Sequence, residues 1–254
     1  MSHTGKSDSL DEFLPVYFDL TPDRIVDRKS MEFIMDFVLP CLRGKRVLEL
    51  GAGDEIWTPK LVERFPDVTT IEGSAELLSA LEKKLGPKPN WRGVVTLFED
   101  YHPDRPYDVV IATYVLEHVD DPEQILQMAH DHWLNPNGQI AIVVPHALSL
   151  HRRLAVAMGL QEYAGQLGEN DRRAGHKRCL SFCEIEHLLW RTGFNIVEKR
   201  GFWTKVLPNA MLTHCSDAQL RGMFRLGMEL PIEYAGTIYY LAERKSLTGG
   251  ADKE

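Results

Sequence analysis

The chain has 254 residues, enough for one sizeable α/β domain, and its 44% hydrophobic and 26% charged residues are usual for a globular protein. Its net charge of −8 argues against a broad nucleic-acid-binding surface, which needs clustered lysine and arginine. The four cysteines lack zinc-ligand spacing, and no apolar run approaches the length of a membrane span. We therefore expect a cytoplasmic protein with no metal, no membrane insertion and no nucleic-acid partner.

Strands and helices are predicted to alternate along the first 145 residues, because short apolar runs are separated by segments with apolar residues three or four apart. The predicted strands are 45–50, 68–72, 94–98, 107–113, 139–144, 194–201 and 237–242. A turn at 135–138 (NPNG) is expected before the fifth strand. This alternation indicates an α/β fold with a doubly wound, mostly parallel sheet.

Residues 47–55 (VLELGAGDE) combine a buried strand with a glycine turn. Gly51 and Gly53 let the backbone bend sharply and leave room for a ligand against bare main chain. The acidic residues of this segment are Glu49, Asp54 and Glu55. Because carboxylates would oppose a bound pyrophosphate, the turn predicts a ligand with a cationic or hydroxyl-rich portion.

An acidic residue, Glu72, ends the second predicted strand, 19 residues beyond Gly53. A carboxylate at this place can accept hydrogen bonds from both hydroxyls of a ribose, and its alternative is a solvated strand-end residue. A dinucleotide site shares this logic but needs a third glycine where the chain has Ile56. The pattern therefore favours a nucleoside ligand that carries no pyrophosphate.

The second informative segment is residues 107–122, with the sequence YDVVIATYVLEHVDDP. Together with the E-x-G-x-G turn at 49–53, it resembles the class I S-adenosylmethionine-dependent methyltransferases. Within that family it is similar to the small-molecule type, such as the ubiquinone-biosynthesis methyltransferases. The resemblance covers residues 30–145 well and the remainder only loosely.

The resemblance implies a Rossmann-like methyltransferase fold, a seven-stranded sheet in which the last strand inserts antiparallel. It also implies that residues 31–254 form a single methyltransferase domain after an N-terminal tail and cap at 1–30. Within that domain the alternation breaks at residues 146–180, the usual place for a substrate-binding insertion in this fold. S-adenosyl-L-methionine is the cofactor that the resemblance implies, with S-adenosyl-L-homocysteine as its product.

The resemblance also implies which residues contact the cofactor. The glycine turn would hold the methionine portion, Glu72 the ribose, and a main-chain carbonyl near Thr113 the methionine ammonium. An acidic residue after the third strand would contact the adenine amino group, with either Glu99 or Asp100 in that role. The complete set of implied cofactor residues is Glu49, Gly51, Gly53, Glu72, Gly73, Phe98, Glu99, Asp100, Thr113 and Tyr114.

Histidine is the natural general base near neutral pH, and the candidates are His118, His146 and His176. Each has a structural alternative, such as bracing a loop. A metal site built from His146, His151 and His176 matches no short ligand motif and is not expected. The candidate substrate-binding residues are Tyr17, His151, Arg152 and Tyr163.

The predicted function is O- or N-methylation of a small polar metabolite, such as a natural-product, sugar or cofactor precursor. Arginines, aromatic residues and polar groups in the 146–180 segment favour such an acceptor over a lipid. The alternatives are a quinone- or lipid-precursor methyltransferase, a non-catalytic domain that binds the cofactor, and, more distantly, an NAD-dependent oxidoreductase. The expected partner is a small-molecule methyl acceptor, and the sequence also allows a homodimer.

Overall fold

The computed structural model describes residues 12, 14–18, 22–53 and 56–245, and it contains the following elements. The strands are β1 (Arg46–Leu50), β2 (Asp67–Glu72), β3 (Trp91–Val95), β4 (Tyr107–Thr113), β5 (Leu134–Pro145), β6 (Phe194–Phe202) and β7 (Thr237–Arg244). The α-helices are α1 (Leu14–Phe18), α2 (Pro22–Cys41), α3 (Trp57–Arg64), α4 (Ala75–Leu85), α5 (Pro122–Met128), α6 (Leu150–Ala157), α7 (Glu169–Arg173), α8 (Phe182–Arg191), α9 (Asn209–Leu212) and α10 (Asp217–Glu229).

The seven strands form one sheet in the order β3-β2-β1-β4-β5-β7-β6. Strands β1 to β5 are parallel, and β7 runs antiparallel between β5 and β6. This arrangement confirms the predicted fold class, including the antiparallel last strand. The chain order reverses between β1 and β4, so the carboxyl ends of these two strands flank the crevice where open α/β sheets bind ligands.

Alternating side chains along the central strands fill two separate cores, one on each face of the sheet. In β4, Val110 and Ala112 join one cluster, while Val109 and Ile111 join the other, and all four are fully buried. Because successive strand residues point to opposite faces, a continuous apolar run is the pattern that this doubly covered sheet requires. The two cores hold the carboxyl ends of the strands in fixed register.

Polar residues begin several of the helices. The hydroxyl of Ser74 accepts from the Leu77 amide at the start of α4, and Asp121 accepts from two amides at the start of α5. Ser181 forms a reciprocal capping box at the start of α8. These caps satisfy amides that a helix leaves without internal partners.

Two predicted boundaries are wrong. Strand β3 spans Trp91–Val95 and not 94–98, because its pairing with β2 sets Val95 opposite Glu72, where both strands end. The predicted turn at 135–138 lies inside β5: Leu134 pairs with Tyr107, and the next paired residue is Gln139. The intervening residues form an irregularity in a strand that continues on both sides.

The N-terminal boundary at residues 30 and 31 does not coincide with the end of an element, because α2 runs from Pro22 to Cys41. The division into a cap and a single domain remains a prediction. Among the helices of the described segments, none combines the length and the apolar character needed to cross a membrane.

Candidate active site

The glycine turn after β1 has a backbone that only glycine adopts easily. Gly51 has φ +81° and Gly53 has φ +41°, in the region that L side chains rarely enter. A Cβ atom at Gly51 would lie 3.8 Å from the Val115 side chain, whereas one at Gly53 would meet nothing within 4 Å. The turn therefore presents bare main chain to open space at the crevice. Asp54 and Glu55 lie outside the described residues.

The Glu72 carboxylate joins this turn to the one after β2. It accepts hydrogen bonds from the amide of Ala52 at 2.8 Å and from the amide of Ser74 at 2.9 Å, with a different oxygen for each. Burial raises the pKa of Glu72, while these amide contacts act to lower it. Main-chain hydrogen bonds from Gly73 and Gly53 act on this carboxylate in the same direction, so both turns hold it in place at the crevice. Gly73, buried between Glu72 and Ser74, completes this turn.

Glu49 lies deeper in the protein than the glycine turn that is predicted to hold the cofactor. Its side chain is buried, and one carboxylate oxygen accepts from the hydroxyls of Thr58 and Thr70, each at 2.7 Å. Burial raises the pKa of Glu49 to about 7, although both hydroxyl contacts act to lower it. Glu49 therefore joins β1 to α3 and β2, and a direct contact with the methionine portion remains a prediction.

Replacement of Glu49 by glutamine is expected to make stability less dependent on pH. The folded pKa, about 7, lies above the ordinary value of 4.5, so this carboxyl stabilises the fold below pH 4.5 and loses that contribution as pH rises through 7. Between pH 5 and pH 8, Glu49→Gln should gain about 3 kcal/mol in unfolding free energy relative to the natural protein. Urea unfolding at both pH values measures this gain. Glu63→Gln, an exposed control on α3, should show no such gain, and an equal difference at both pH values for Glu49→Gln would contradict the assignment.

The chain leaves β4 through a strained residue. Tyr114 has φ +56°, uncommon for a bulky side chain, and its amide donates to the Val143 carbonyl at 2.8 Å. The strain redirects the chain immediately after Thr113, across the crevice from the glycine turn. The predicted contact between the methionine ammonium and a carbonyl near Thr113 remains a prediction.

The residues predicted to contact adenine do not end a strand. Phe98–Asp100 form a short 3₁₀ helix, three residues after β3 ends. Phe98 and Glu99 are partly buried, whereas Asp100 is exposed. The two acidic residues both remain candidates for the adenine contact.

Helix α1 packs beside the glycine turn. Leu14 forms an apolar cluster with Ala52 and Leu77, and Tyr17 packs against that cluster. Tyr17 therefore lies near the glycine turn, and its predicted contact with the acceptor is untested.

Beyond β4, three residues converge at the carboxyl edge of the sheet. One ligand atom each from Glu117, His118 and His176 lies within 4.8 Å of the other two, and the two imidazole rings meet edge to face with centroids 4.7 Å apart. Burial raises the pKa of Glu117 to about 7 and lowers that of His118 to about 3, the latter with help from the nearby His176. At neutral pH the His118 imidazole is therefore uncharged.

Residues 146–180 are hydrogen-bonded to the loop after β4. The Lys177 amide donates to the Glu117 carbonyl at 2.8 Å, and the Arg178 guanidinium donates to the carbonyls of Val119 and Asp120 at 2.6 and 2.9 Å. These contacts bring His176, distant in sequence, against His118. The insertion therefore forms one wall of the candidate site.

A buried ion pair holds the insertion together. Asp171 accepts two hydrogen bonds from Arg152 at 2.8 Å, one from the Gly168 amide at 2.7 Å, and lies 3.2 Å from Nδ1 of His176. Arg152 also donates to the Gln166 carbonyl at 2.9 Å and is only 8% exposed. The guanidinium predicted to bind substrate is thus engaged within the insertion.

The remaining predicted site residues do not join this cluster. His146 is completely buried, its Nδ1 lies 3.1 Å from the Ala235 carbonyl, and burial lowers its pKa to about 4. Burial lowers the pKa of His151 to about 3, and its Nδ1 has no hydrogen-bond partner among the described residues. Tyr163 is 61% exposed. Of the three predicted bases, the structure brings only His118 and His176 together.

Two residues of the site carried no predicted role. Glu117 stands beside His118 within the second motif, and its position after β4 is the signal that could have marked it. Asp171 is one of many charged residues in the insertion, and nothing local distinguishes it. Its partners come from three separate places in the segment, so only the fold reveals its role.

The comparison with known families decides the family. Residues 23–199 match the model of the methyltransferase domain family, more than half of the chain. The chain belongs to this family. The match confirms the predicted recognition as an S-adenosylmethionine-dependent methyltransferase and S-adenosylmethionine as its cofactor, and the glycine turn with Glu72 fits that cofactor.

This methyltransferase is similar to several named proteins. It is 28% identical over 107 residues to malonyl-[acyl-carrier protein] O-methyltransferase 1 of Ilyobacter polytropus, covering 41% of this chain and 40% of the relative. It is 31% identical over 136 residues to the ubiquinone biosynthesis O-methyltransferase of Pseudomonas syringae pv. tomato, covering 51% of this chain and 53% of the relative. The chain thus spans about half the length of the curated relatives that it matches.

Solved structures support the fold of this methyltransferase. Magnesium protoporphyrin IX methyltransferase from Synechocystis PCC 6803, crystallised with bound S-adenosylhomocysteine, superimposes with a TM-score of 0.60 at 13% identity. The match covers 94% of this chain and 95% of that protein. At such low identity the likeness concerns the fold alone.

Proposed function

We propose that this methyltransferase transfers a methyl group from S-adenosylmethionine to an oxygen or nitrogen atom of a small polar metabolite. The observation that carries the proposal is the polar cluster of Glu117, His118 and His176, which lies after β4 beneath the insertion. It stands beside the crevice between β1 and β4, where a cofactor in this fold is expected.

In this proposal the cofactor lies along the carboxyl ends of the first four strands. Glu72 binds its ribose, the turn at Gly51 and Gly53 accommodates its methionine portion, and the carbonyl near Thr113 accepts from its ammonium group. When bound, S-adenosylmethionine supplies an electrophilic methyl group on a positively charged sulfur. The protein then has to place the acceptor atom in line with that methyl group, which can account for several kcal/mol of catalysis.

The cluster gives the acceptor hydrogen-bonding groups in a partly enclosed place. A neutral His118 imidazole accepts a hydrogen bond from a hydroxyl or amine, and this contact orients the lone pair of the acceptor atom. Because its folded pKa is about 3, His118 acts better as an orienting group than as a strong base at neutral pH. His146 is completely buried and lies outside this cluster, so its catalytic role remains a prediction.

The relatives favour oxygen over nitrogen as the atom methylated. Both named relatives are O-methyltransferases, one of malonyl-[acyl-carrier protein] and one of ubiquinone biosynthesis. The second candidate function is methylation of an amphiphilic acceptor, such as a quinone precursor. It is supported by four large apolar side chains of the insertion that are more than a third exposed: Leu154, Met158, Leu160 and Tyr163.

An acceptor panel tests the proposal. We expect S-adenosylhomocysteine to accumulate, measured by mass spectrometry, with small polar hydroxylated or amine-bearing compounds as acceptors. Phenols with an isoprenoid tail form the second arm and report on the amphiphilic candidate. Calorimetry with S-adenosylmethionine and NAD is the control, and tight binding of NAD without binding of S-adenosylmethionine would overturn the proposal. The cytoplasmic location and the homodimer remain predictions.

A further inference from the structure

The cluster after β4 contains a buried carboxylate. Among the described residues, no positively charged group forms a hydrogen bond with it. Glu117 is 1% exposed, and neither of its carboxylate oxygens has a hydrogen-bond partner in the described part of the chain. Burial of a carboxylate without a partner costs free energy, and a cation bound beside it would offset that cost. The neighbours of Glu117 in the cluster are two imidazoles, His118 and His176.

A hydrogen-bonding contact orients each of the two imidazole rings. Nδ1 of His176 lies 3.2 Å from the Asp171 carboxylate, and His118 is hydrogen-bonded to the Gly175 main chain. An imidazole has two ring nitrogens, so each ring has a second nitrogen that can bind a ligand. Histidines that bind metals are held in this way, with the other nitrogen donating to a carboxylate or a main-chain carbonyl.

We propose that Glu117, His118 and His176 bind a divalent transition-metal ion. Their ligand atoms span at most 4.8 Å, and small side-chain rotations would bring them to the ~3.3 Å separation that metal–ligand bonds of about 2.1 Å require. Two nitrogen ligands and one oxygen suit zinc or cobalt better than manganese or magnesium, which prefer oxygen ligands. The sequence-based expectation of no metal considered the spacing of the cysteines and one set of three histidines, and it did not include this set.

A bound ion would change how the proposed function positions its acceptor, because the His118 nitrogen would ligate the ion and the ion would contact the acceptor in its place. Three protein ligands leave open coordination positions, and the partial exposure of both histidines gives a small molecule access to them. A hydroxyl or carboxylate oxygen of the methyl acceptor can occupy such a position, and a hydroxyl bound there loses its proton more readily. This consequence rests on the proposed methyl transfer, whereas metal binding does not.

Metal titration of the full chain, without cofactor or acceptor, tests the site. After dialysis against a chelator, zinc, cobalt, manganese and magnesium ions are titrated separately by calorimetry, and cobalt is also followed by visible absorption. We expect one equivalent of zinc or cobalt to bind and magnesium to bind at least ~100-fold more weakly. Glu117→Gln and His176→Ala should each weaken zinc binding at least ~100-fold, because each removes a ligand.

The exposed His132 provides a matched control, since His132→Ala removes a histidine outside the cluster and should leave zinc affinity unchanged. Glu117→Gln has the shape of the natural side chain, and its melting curve by circular dichroism verifies that the fold is retained. Binding of none of the four ions at 1:1 stoichiometry would overturn the proposal. So would zinc affinity that is unchanged in both ligand variants. Because these readouts need no methyl transfer, failure of the metal site is distinguishable from failure of the proposed function.

Discussion

Glu72→Ala should weaken binding of S-adenosylmethionine at least ~100-fold, because two losses occur together. The variant removes the carboxylate proposed to accept both ribose hydroxyls, and each hydrogen bond to a charged group contributes roughly 1.5–3 kcal/mol. It also leaves the amides of Ala52 and Ser74 without their acceptor, so the turns after β1 and β2 lose a shared support. Calorimetric titration with S-adenosylhomocysteine measures the dissociation constant directly.

The exposed Glu76 supplies the control for that experiment. It lies four residues further along the chain in the first turn of α4, so Glu76→Ala removes one negative charge near the same place without touching the crevice. Its cofactor affinity should stay within about twofold. Glu72→Gln should fall between the two variants, because the amide keeps one oxygen acceptor but directs an N–H₂ group at the other main-chain amide. Equal affinities for Glu72→Ala and the natural protein would refute the ribose assignment.

The central sheet could be predicted from the sequence because its signals are local. The strand β4 was predicted at its exact bounds, since seven residues with an almost continuous apolar pattern allow little choice when both faces are covered. Serine caps and capping boxes identify helix starts equally well, as at Ser74 and Ser181. Each of these features depends on residues only a few positions apart.

Strand ends at the sheet edge and the composition of the site depend on distant contacts. The bounds of β3 follow from its pairing with β2, which no local pattern specifies. Glu117 and His176 are 59 residues apart by numbering, and they meet because the 175–178 segment bonds to the loop after β4. Residue type and strand position were enough to propose the candidate bases. They could not predict that His118 and His176 lie in one cluster while His146 is buried outside it.

The insertion should depend strongly on Asp171. Asp171→Ala would leave the guanidinium of Arg152 buried without its counter-ion, and would leave the Gly168 amide and Nδ1 of His176 without an acceptor. Removal of one partner of a buried ion pair costs about 3–5 kcal/mol. We therefore expect a loss of that size in unfolding free energy at pH 7, or selective proteolysis of residues 146–180 if the insertion unfolds by itself.

The pH dependence of the unfolding free energy distinguishes the charge of Asp171 from the packing of its side chain. The contacts of Asp171 hold its pKa well below the ordinary value of 3.8, so its contribution is complete above that value and is lost as pH falls below it. The difference in stability between Asp171→Ala and the natural protein should accordingly be constant from pH 5 to pH 7 and shrink below pH 4. Urea unfolding across this range tests the expectation, with Glu169→Ala on the exposed face of α7 as the control. A control variant as unstable as Asp171→Ala would show that the helix, and not the ion pair, supports the insertion. Loss of stability in Asp171→Ala alone would show that this carboxylate holds together the insertion that carries His176.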